Sequence, residues 1–392
     1  MKAFLTSSCF RFTDAARQRY GERADQYLAY LFRTDPLADT VVAALAELPG
    51  SEGQRLLDAA LNHGIEAVPD APSAMRDLFA QLDEVPFWVD WDQLDLGGAV
   101  FLRSGLFGVL TVGLVSLPLS YSSPAGNKPL VFSGQLIKRA ARRLGETGRF
   151  VYCTSQPGGL RRFGEGFKAT VKVRLMHAQV RRLLRQSGRW DASQWGEPIN
   201  QAYLAATNLV LSVVLLDGMR RFGLRFTQAE SEALMQLWRY SGYLSGVAPE
   251  LLCATESEAR RMLELVFALD GPPDEDSRAL ITALMLVSHA LGFKEAGWLT
   301  QLNYGISYGL IGEERARALG YPRTWRRWIV PALRPAISAV DFIRSLTPGG
   351  RHLVDALGTR GWELAIERTL AGPPPDFRLM ERLAAQPKSG IA

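Results

Sequence analysis

The repeat of apolar residues at helical spacing is the feature that most restricts how this chain can fold. Apolar side chains recur about every 3.6 residues from residue 14 onward, and no run alternates apolar and polar residues between turn signals as a half-buried strand would. Composition does not shift sharply along the 392 residues, and no internal repeat or heptad pattern appears. We therefore predict an all-α protein that folds as a single helical domain over residues 1–392.

Proline and glycine interruptions divide this pattern into separate helices. The pattern predicts helices over residues 14–34, 37–48, 52–63, 73–83, 133–152, 165–187, 198–222, 227–243, 256–269 and 274–291. We expect short helices within 296–322, a loop over 121–129, an irregular region around Pro331 and Pro335, and a flexible tail over 373–392.

The apolar window from Gly105 to Tyr121 is the most membrane-like part of the sequence. It is shorter than the roughly 20 residues of a spanning helix and contains Pro118. We predict a buried core helix or two short helices here, with peripheral membrane contact as the less favoured alternative.

Charge and cysteine content exclude several classes of protein. The formal charge is only +5 and the arginines are spread along the chain, so no nucleic-acid partner is expected. Cys9, Cys153 and Cys253 lack the spacing of a disulfide framework or a zinc site, which favours a reducing compartment. No apolar stretch near the N-terminus is long enough for a secretory signal, so the sequence favours a cytoplasmic location.

One histidine lies within the apolar pattern of a predicted helix. His177 shares a stripe with Val173, Met176, Val180 and Leu184, so its imidazole points towards apolar surroundings. On the pattern alone, a core histidine with a hydrogen-bond partner is the more common case. The alternative is an iron ligand, because an apolar setting keeps imidazole neutral and haem needs only one axial histidine.

A second group lies on the preceding predicted helix. Arg143, Glu146 and Thr147 are three and four residues apart, so they share a face. Spacing alone favours an ordinary surface Arg–Glu pair over a functional cluster.

Four stretches of this sequence carry a family resemblance: Gly134-Gln135-Leu136, Arg142 to Thr147, Val173 to Arg181, and Pro198-Ile199-Asn200-Gln201. Together they resemble the latex-clearing protein and MpaB-type oxygenase family. The resemblance implies a globin-like helical core over about residues 100–250, with additional helices and a bound haem b. It implies His177 as the iron ligand, with Arg143 and Arg174 also binding the cofactor. It implies Arg143, Glu146 and Thr147 as catalytic residues.

Two departures from the family pattern change what is expected. Glu146 stands where the family has a lysine that can approach the iron, so this residue is expected to act as an acid or base, to bind a water, or to pair with Arg143. Asn127 lies in the predicted loop, and no acidic residue can be placed as the family's catalytic base. A cytoplasmic enzyme would not meet extracellular rubber, which favours a smaller substrate.

The resemblance therefore implies an oxidoreductase, a haem b-dependent oxygenase acting with dioxygen on a small apolar or lipid-like substrate. The stretch Gly105–Leu119 would line the substrate site or simply belong to the core. The alternatives are a haem-binding or gas-sensing protein without turnover, and a helical scaffold that has lost its cofactor. The sequence leaves the oligomeric state open.

Overall fold

The computed structural model describes residue 10 and residues 13–132, 136–346 and 348–370. Every regular element in these ranges is a helix, which confirms the all-α prediction. The predicted tail over 373–392 lies outside the described residues, as do residues 133–135 of one predicted helix.

The N-terminal third is a set of short helices. They are α1 (Thr13–Tyr20), α2 (Glu22–Ala29), α3 (Pro36–Ala46), α4 (Glu52–His63) and α5 (Ser73–Asp83). The single helix predicted over 14–34 is wrong, because Gly21 adopts a positive φ of 59° and separates α1 from α2. The Asp35 carboxylate accepts a hydrogen bond from Ala38 N and caps α3, which begins with Pro36.

The membrane-like window folds into buried helices. It follows α6 (Trp91–Leu102) and forms α7 (Gly105–Thr111), a π-helical turn over Val112–Ser116, and α8 (Leu117–Tyr121). Most of its side chains are buried, as the prediction of core helices required. A short helix, α9 (Lys128–Phe132), begins within the predicted loop over 121–129.

The centre of the chain contains the long helices α10 and α11 and the helices that follow them. They are α10 (Leu136–Thr154), α11 (Glu165–Gln186), α12 (Ala192–Trp195), α13 (Gln201–Leu211), α14 (Val213–Phe222), α15 (Gln228–Leu244), α16 (Glu256–Leu269), α17 (Glu275–Met285) and α18 (Val287–Ala290). The helix predicted over 198–222 is divided at Ser212, whose φ of −107° and ψ of −92° are not helical. Gln201–Phe222 has the length and hydropathy of a membrane span, but 72% of its apolar window is buried inside the protein.

The C-terminal helices are α19 (Ala296–Ile311), α20 (Glu313–Ala318), α21 (Ile329–Leu346) and α22 (Pro348–Leu370). The irregular region predicted around Pro331 and Pro335 is wrong, because both prolines lie within α21. Pro331 falls in the first turn, where a backbone N–H has no helical partner. Because proline has no backbone N–H, Pro335 leaves the carbonyl of Pro331 without its helical hydrogen bond. Pro331 is exposed, so water can donate a hydrogen bond to that carbonyl.

Buried apolar side chains form two adjoining clusters. One is centred on α13, α14, α16, α17 and α19, and the other on α3 to α6, α11 and α15. Helix α22 joins the second cluster through Trp362, which is 1% exposed and packs on Phe101 with ring centroids 4.7 Å apart. These clusters fix the positions of α10 and α11. The prediction of one domain stays a prediction.

Candidate functional site

Helices α10 and α11 meet at a close backbone contact. A Cβ added at Gly166 would lie 2.6 Å from the carbonyl oxygen of Cys153, and one at Gly159 would lie 2.3 Å from the same oxygen. Only glycine permits this approach between the end of α10 and the start of α11. The backbone N–H of Gly158 also donates to the Asp95 carboxylate at 2.7 Å. The two helices that carry the candidate residues are therefore held together at one end.

Two ion pairs, one buried and one partly buried, fix α11 against α3. The guanidinium of Arg174 donates to both carboxylate oxygens of Asp35 at 2.6 and 3.0 Å, and to Gln81 Oε1 at 2.7 Å. Arg181 donates to the Asp39 carboxylate at 2.7 Å and to the carbonyl of Ile199 at 2.7 Å. These contacts occupy the Arg174 side chain, which is 3% exposed, and so argue against its predicted role in binding a cofactor.

His177 lies at the edge of the buried face of α11. That face consists of residues packed against the core: Phe167, Val171, Leu175 and Ala178. Val173, Met176 and Val180 form a neighbouring apolar stripe that remains partly exposed, and Met176 is 37% exposed. The stripe predicted to lie in the core is thus partly open, although its last residue, Leu184, is fully buried.

The imidazole of His177 is held in its neutral form. Its Nδ1 is buried without a hydrogen-bond partner, although the residue as a whole is partly exposed. Burial, together with the positive charge of Arg181, lowers the pKa of His177 to about 4. The hydrogen-bonded core histidine favoured by the pattern is therefore not what the structure contains. A neutral imidazole with an unpaired nitrogen is a competent metal ligand.

Helix α10 has two different sides. Gly145 and Gly148 face α22, where an added Cβ would lie 2.9 Å from side-chain atoms of Leu370 and Thr369 or 3.5 Å from Ile366. The side with Arg143 and Thr147 is opposite, because these residues lie about half a helical turn away. Small residues thus seat α10 on α22 and leave its other side available for larger functional groups.

Glu146 does not pair with Arg143. Its carboxylate accepts a hydrogen bond from Arg142 Nε at 2.8 Å, four residues earlier on the same helix. This pair is partly solvent-exposed, with 61% of the Arg142 side chain accessible. The predicted Arg143–Glu146 pair is therefore wrong. Glu146 lies three residues from Arg143 and shares its face of α10, but its carboxylate is bound by Arg142.

Arg143 contacts the segment that leads into α10. Its guanidinium donates to the carbonyl of Leu130 at 3.3 Å, and its positive charge acts on the phenol of Tyr121. Burial nevertheless raises the pKa of Tyr121, so the phenol stays protonated. Arg143 is thus directed towards the end of α8 and α9.

Asn127, to which the sequence analysis assigned no role, is fully buried in this same segment. Its Nδ2 donates to the carbonyl of Tyr121 at 3.1 Å and to Ser277 Oγ at 2.9 Å, while its Oδ1 is buried without a partner. Because the amide is fixed on its nitrogen side, the oxygen is left as a buried acceptor. No sequence pattern singled out this contact, because Ser277 is 150 residues away.

A small cavity near the same loop was also missed by sequence reasoning. It measures about 40 Å³ and is bounded by α8, α13 and α16. Asp270 lines it and accepts a hydrogen bond from Tyr203 Oη at 3.3 Å, and burial raises the pKa of Asp270 to about 7. The cavity is large enough for one or two waters. Only tertiary packing reveals the cavity. Asp270 directly follows α16, and the amphipathic pattern of that helix does not distinguish it from other helices.

No group of three or more histidine, cysteine, aspartate or glutamate side chains among the described residues is arranged to hold a metal ion. His177 therefore offers a single protein donor. This donor set suits a metal whose other ligands come from a bound molecule rather than from the chain.

Comparisons with known proteins agree on one family. The model of the ER-bound oxygenase mpaB/B'/Rubber oxygenase catalytic domain matches residues 102–344. The chain is 26% identical over 295 residues to a rubber oxygenase of Streptomyces sp. (strain K30), covering 73% of this chain and 68% of the relative. A solved structure of latex clearing protein in the closed state shares the fold, with a TM-score of 0.63 and 22% identity over 85% of this chain and 91% of that one.

Proposed function

Because the chain belongs to the ER-bound oxygenase mpaB/B'/Rubber oxygenase family, it is an oxidoreductase, and we propose that it is a haem b-dependent oxygenase. Its substrates are dioxygen and a small unsaturated, apolar molecule. The observation that carries the proposal is the neutral imidazole of His177, with an unpaired buried nitrogen beside a partly open apolar stripe.

The residues present fit a haem. A single imidazole from the chain would suffice to hold it, because the porphyrin itself would supply the other nitrogen ligands. His177 is the donor, and Val173, Met176 and Val180 provide apolar surface beside it for a porphyrin face. The unpaired Nδ1 is consistent with a ring that is oriented by packing rather than by a hydrogen bond. No second protein ligand is required, in accord with the lack of a metal-ligating cluster among the described side chains.

Each residue of the site then has a separate task. Bound haem supplies the redox chemistry with dioxygen. His177 fixes the cofactor from α11, and the Arg174–Asp35 and Arg181–Asp39 pairs hold that helix in place. Arg143, always charged, supplies N–H donors where negative charge builds up during reaction, and Thr147 supplies a hydroxyl donor from the same side of α10. Glu146 is held by Arg142, so its task is to keep the Arg142 charge in place rather than to transfer a proton.

A haem-loading experiment tests the cofactor. The full chain, produced with haem available, is expected to show a Soret absorption band and about one iron per chain. The variant His177→Ala should lose both, while His289→Ala, which removes an exposed histidine on α18, should keep them. Full haem occupancy in His177→Ala would refute the ligand assignment. A wild-type chain that takes up no haem would reject the proposal.

An activity experiment tests turnover. Squalene, which contains several isoprenoid double bonds, is a suitable probe, and oxygen consumption with carbonyl products is the expected result. Arg143→Leu should lower kcat by about 100-fold, as expected when one charged donor to a reacting oxygen is removed, while leaving the Soret band in place. Dioxygen binding without consumption of any unsaturated probe would instead support the gas-sensing alternative.

A further inference from the structure

An exposed apolar surface runs along the C-terminal part of the chain. It comprises Trp325, Trp328, Leu333, Val340, Ile343 and Leu346, and we call it the outer face. The exposed fractions of these side chains run from 53% for Leu333 to 71% for Trp325. Leu333, Val340 and Ile343 lie seven and three residues apart, so they share one side of α21. Isolated exposed apolar residues are common, but a contiguous set on one helix indicates an interaction surface.

Contacts on the opposite side of α21 fix the direction of the outer face. Ser338 Oγ donates to the carbonyl of Gly223 at 2.8 Å, at the end of α14. Asp341 is 8% exposed and accepts hydrogen bonds from the backbone N–H of Arg225 at 2.9 Å and from Arg344 at 3.0 Å. Ser338 and Asp341 thus face the protein, and Val330, at the start of α21, is 4% exposed and belongs to the core. Leu333, Val340 and Ile343 face away from these contacts, so their apolar side chains are available to a partner.

The charge around the outer face is positive. Residues 313–344 contain seven arginines, no lysine and three acidic residues, which gives a net charge of +4. Glu313 pairs with Arg317 and, at 3.7 Å, with Arg327. Asp341 is already paired with Arg344. Arg326 and Arg327 lie over the rings of Trp325 and Trp328, with guanidinium carbons 5.3 Å from each ring centroid. Tryptophan beside arginine is typical of residues that lie at the boundary between lipid and water.

We propose that the outer face binds the surface of an anionic lipid bilayer, with α21 lying in the interface and its apolar residues among the acyl chains. The arginines contact the phosphates of the headgroups, and the two tryptophans lie at headgroup level. This inference is independent of the proposed oxygenase activity.

Two other possible partners of the outer face are less compatible with its positive charge. A second copy of this chain packed symmetrically on the outer face would bring Arg323, Arg326, Arg327 and Arg334 against the same arginines. The chain's own segment 371–392 has three basic and two acidic side chains, so it does not neutralise the arginines. An anionic bilayer satisfies the apolar and the basic residues together.

Vesicle flotation of the full chain tests the proposal. Vesicles of phosphatidylcholine with 30% phosphatidylglycerol should carry the protein upward in a density gradient, and pure phosphatidylcholine vesicles should do so at least tenfold less. Binding should weaken as salt rises, because arginine–phosphate attraction is screened. The variant Val340→Ser/Ile343→Ser should bind about tenfold more weakly, since it removes two side chains from the acyl region.

Matched control variants distinguish binding through the outer face from nonspecific adsorption to the vesicles. Phe87→Ser removes the most exposed phenylalanine elsewhere and should leave flotation unchanged. Arg323→Gln/Arg334→Gln should reduce binding to the anionic vesicles, whereas Arg23→Gln/Arg55→Gln, at exposed positions in the N-terminal helices, should not. All these positions are exposed, so the variants should fold, as circular dichroism would verify.

Three outcomes would overturn the proposal. One is the absence of flotation with either vesicle. Another is equal loss of flotation in the control variants. The third is a dimer by light scattering that becomes monomeric in Val340→Ser/Ile343→Ser without vesicle binding, because the outer face would then be an interface between copies.

Discussion

Helices α10 and α11 carry the candidate residues but are held in place by different means. Two ion pairs, one buried and one partly buried, attach α11 to α3, and their partners lie more than 130 residues apart in sequence. Glycines seat α10 on α22, and a hydrogen bond from Tyr152 Oη to the Glu363 carboxylate at 3.0 Å joins the same two helices. The position of α11 therefore depends more on charged contacts, and that of α10 more on the close fit of small residues.

The largest effect is expected from the ion pair of α11. Arg174→Ala would leave Asp35 buried without its partner, which costs about 3–5 kcal/mol of folding free energy. Lys168→Ala, which breaks an exposed pair on the same helix, should cost less than about 0.5 kcal/mol. Urea unfolding measures both. Equal values for the two variants would mean that α11 is not anchored through Arg174.

The next largest effect is expected at the glycine contact between α10 and α11. Gly166→Ala forces a Cβ against backbone atoms of Cys153 and Thr154, so we expect a loss of about 1–3 kcal/mol. Gly148→Ala meets Ile366 only at ordinary contact distance and should gain up to about 1 kcal/mol from helix propensity. Thermal unfolding distinguishes the opposite signs. A stabilising Gly166→Ala would contradict the close approach.

The pH dependence of the free energy of unfolding tests the environment of His177. The pKa of this imidazole is about 4 in the folded chain and about 6.5 when unfolded. The unfolded state therefore binds more protons between these values, and stability is lost as pH falls from 6.5 towards 4. Because the ring is partly exposed, we expect a loss of about 1–2 kcal/mol, measured on haem-free protein. His177→Gln should flatten this part of the profile, while His289→Gln should not.

The smallest effect is expected at Glu146. Its pair with Arg142 is partly exposed, so Glu146→Gln should change the free energy of unfolding by less than about 0.5 kcal/mol. Turnover should stay within about twofold of wild type, because this carboxylate is already bound by Arg142. A large loss of activity without loss of haem would instead make Glu146 an acid or base in the reaction.

Local pattern predicted most helices but not their interruptions. The bounds expected for α4, α5 and α16 match the structure, because each has an amphipathic face between clear breaking residues. The helices predicted over 14–34 and 198–222 divide at Gly21 and Ser212, where the apolar repeat continues across the break. The pattern does not predict helix α21, because proline usually interrupts a helix. Pro331 lies in its first turn, and the carbonyl left unpaired by Pro335 is on an exposed residue.

The candidate site was predicted in part. Sequence reasoning identified His177, and the structure places it at the edge of a partly open apolar stripe rather than deep in the core. It assigned Arg174 to the cofactor, but Asp35 binds that guanidinium, and no local spacing reveals a partner 139 residues away. Asn127 and Asp270 acquire their buried surroundings only when distant helices pack together.

The sequence by itself determined that the chain is helical and that one imidazole lies among apolar neighbours on α11, because both follow from the helical repeat within a few turns. Only the tertiary structure decided which charges are paired, which face of α21 remains uncovered, and which side of α10 is available for chemistry. These features depend on contacts between residues far apart in the chain, and a local repeat contains no information about them.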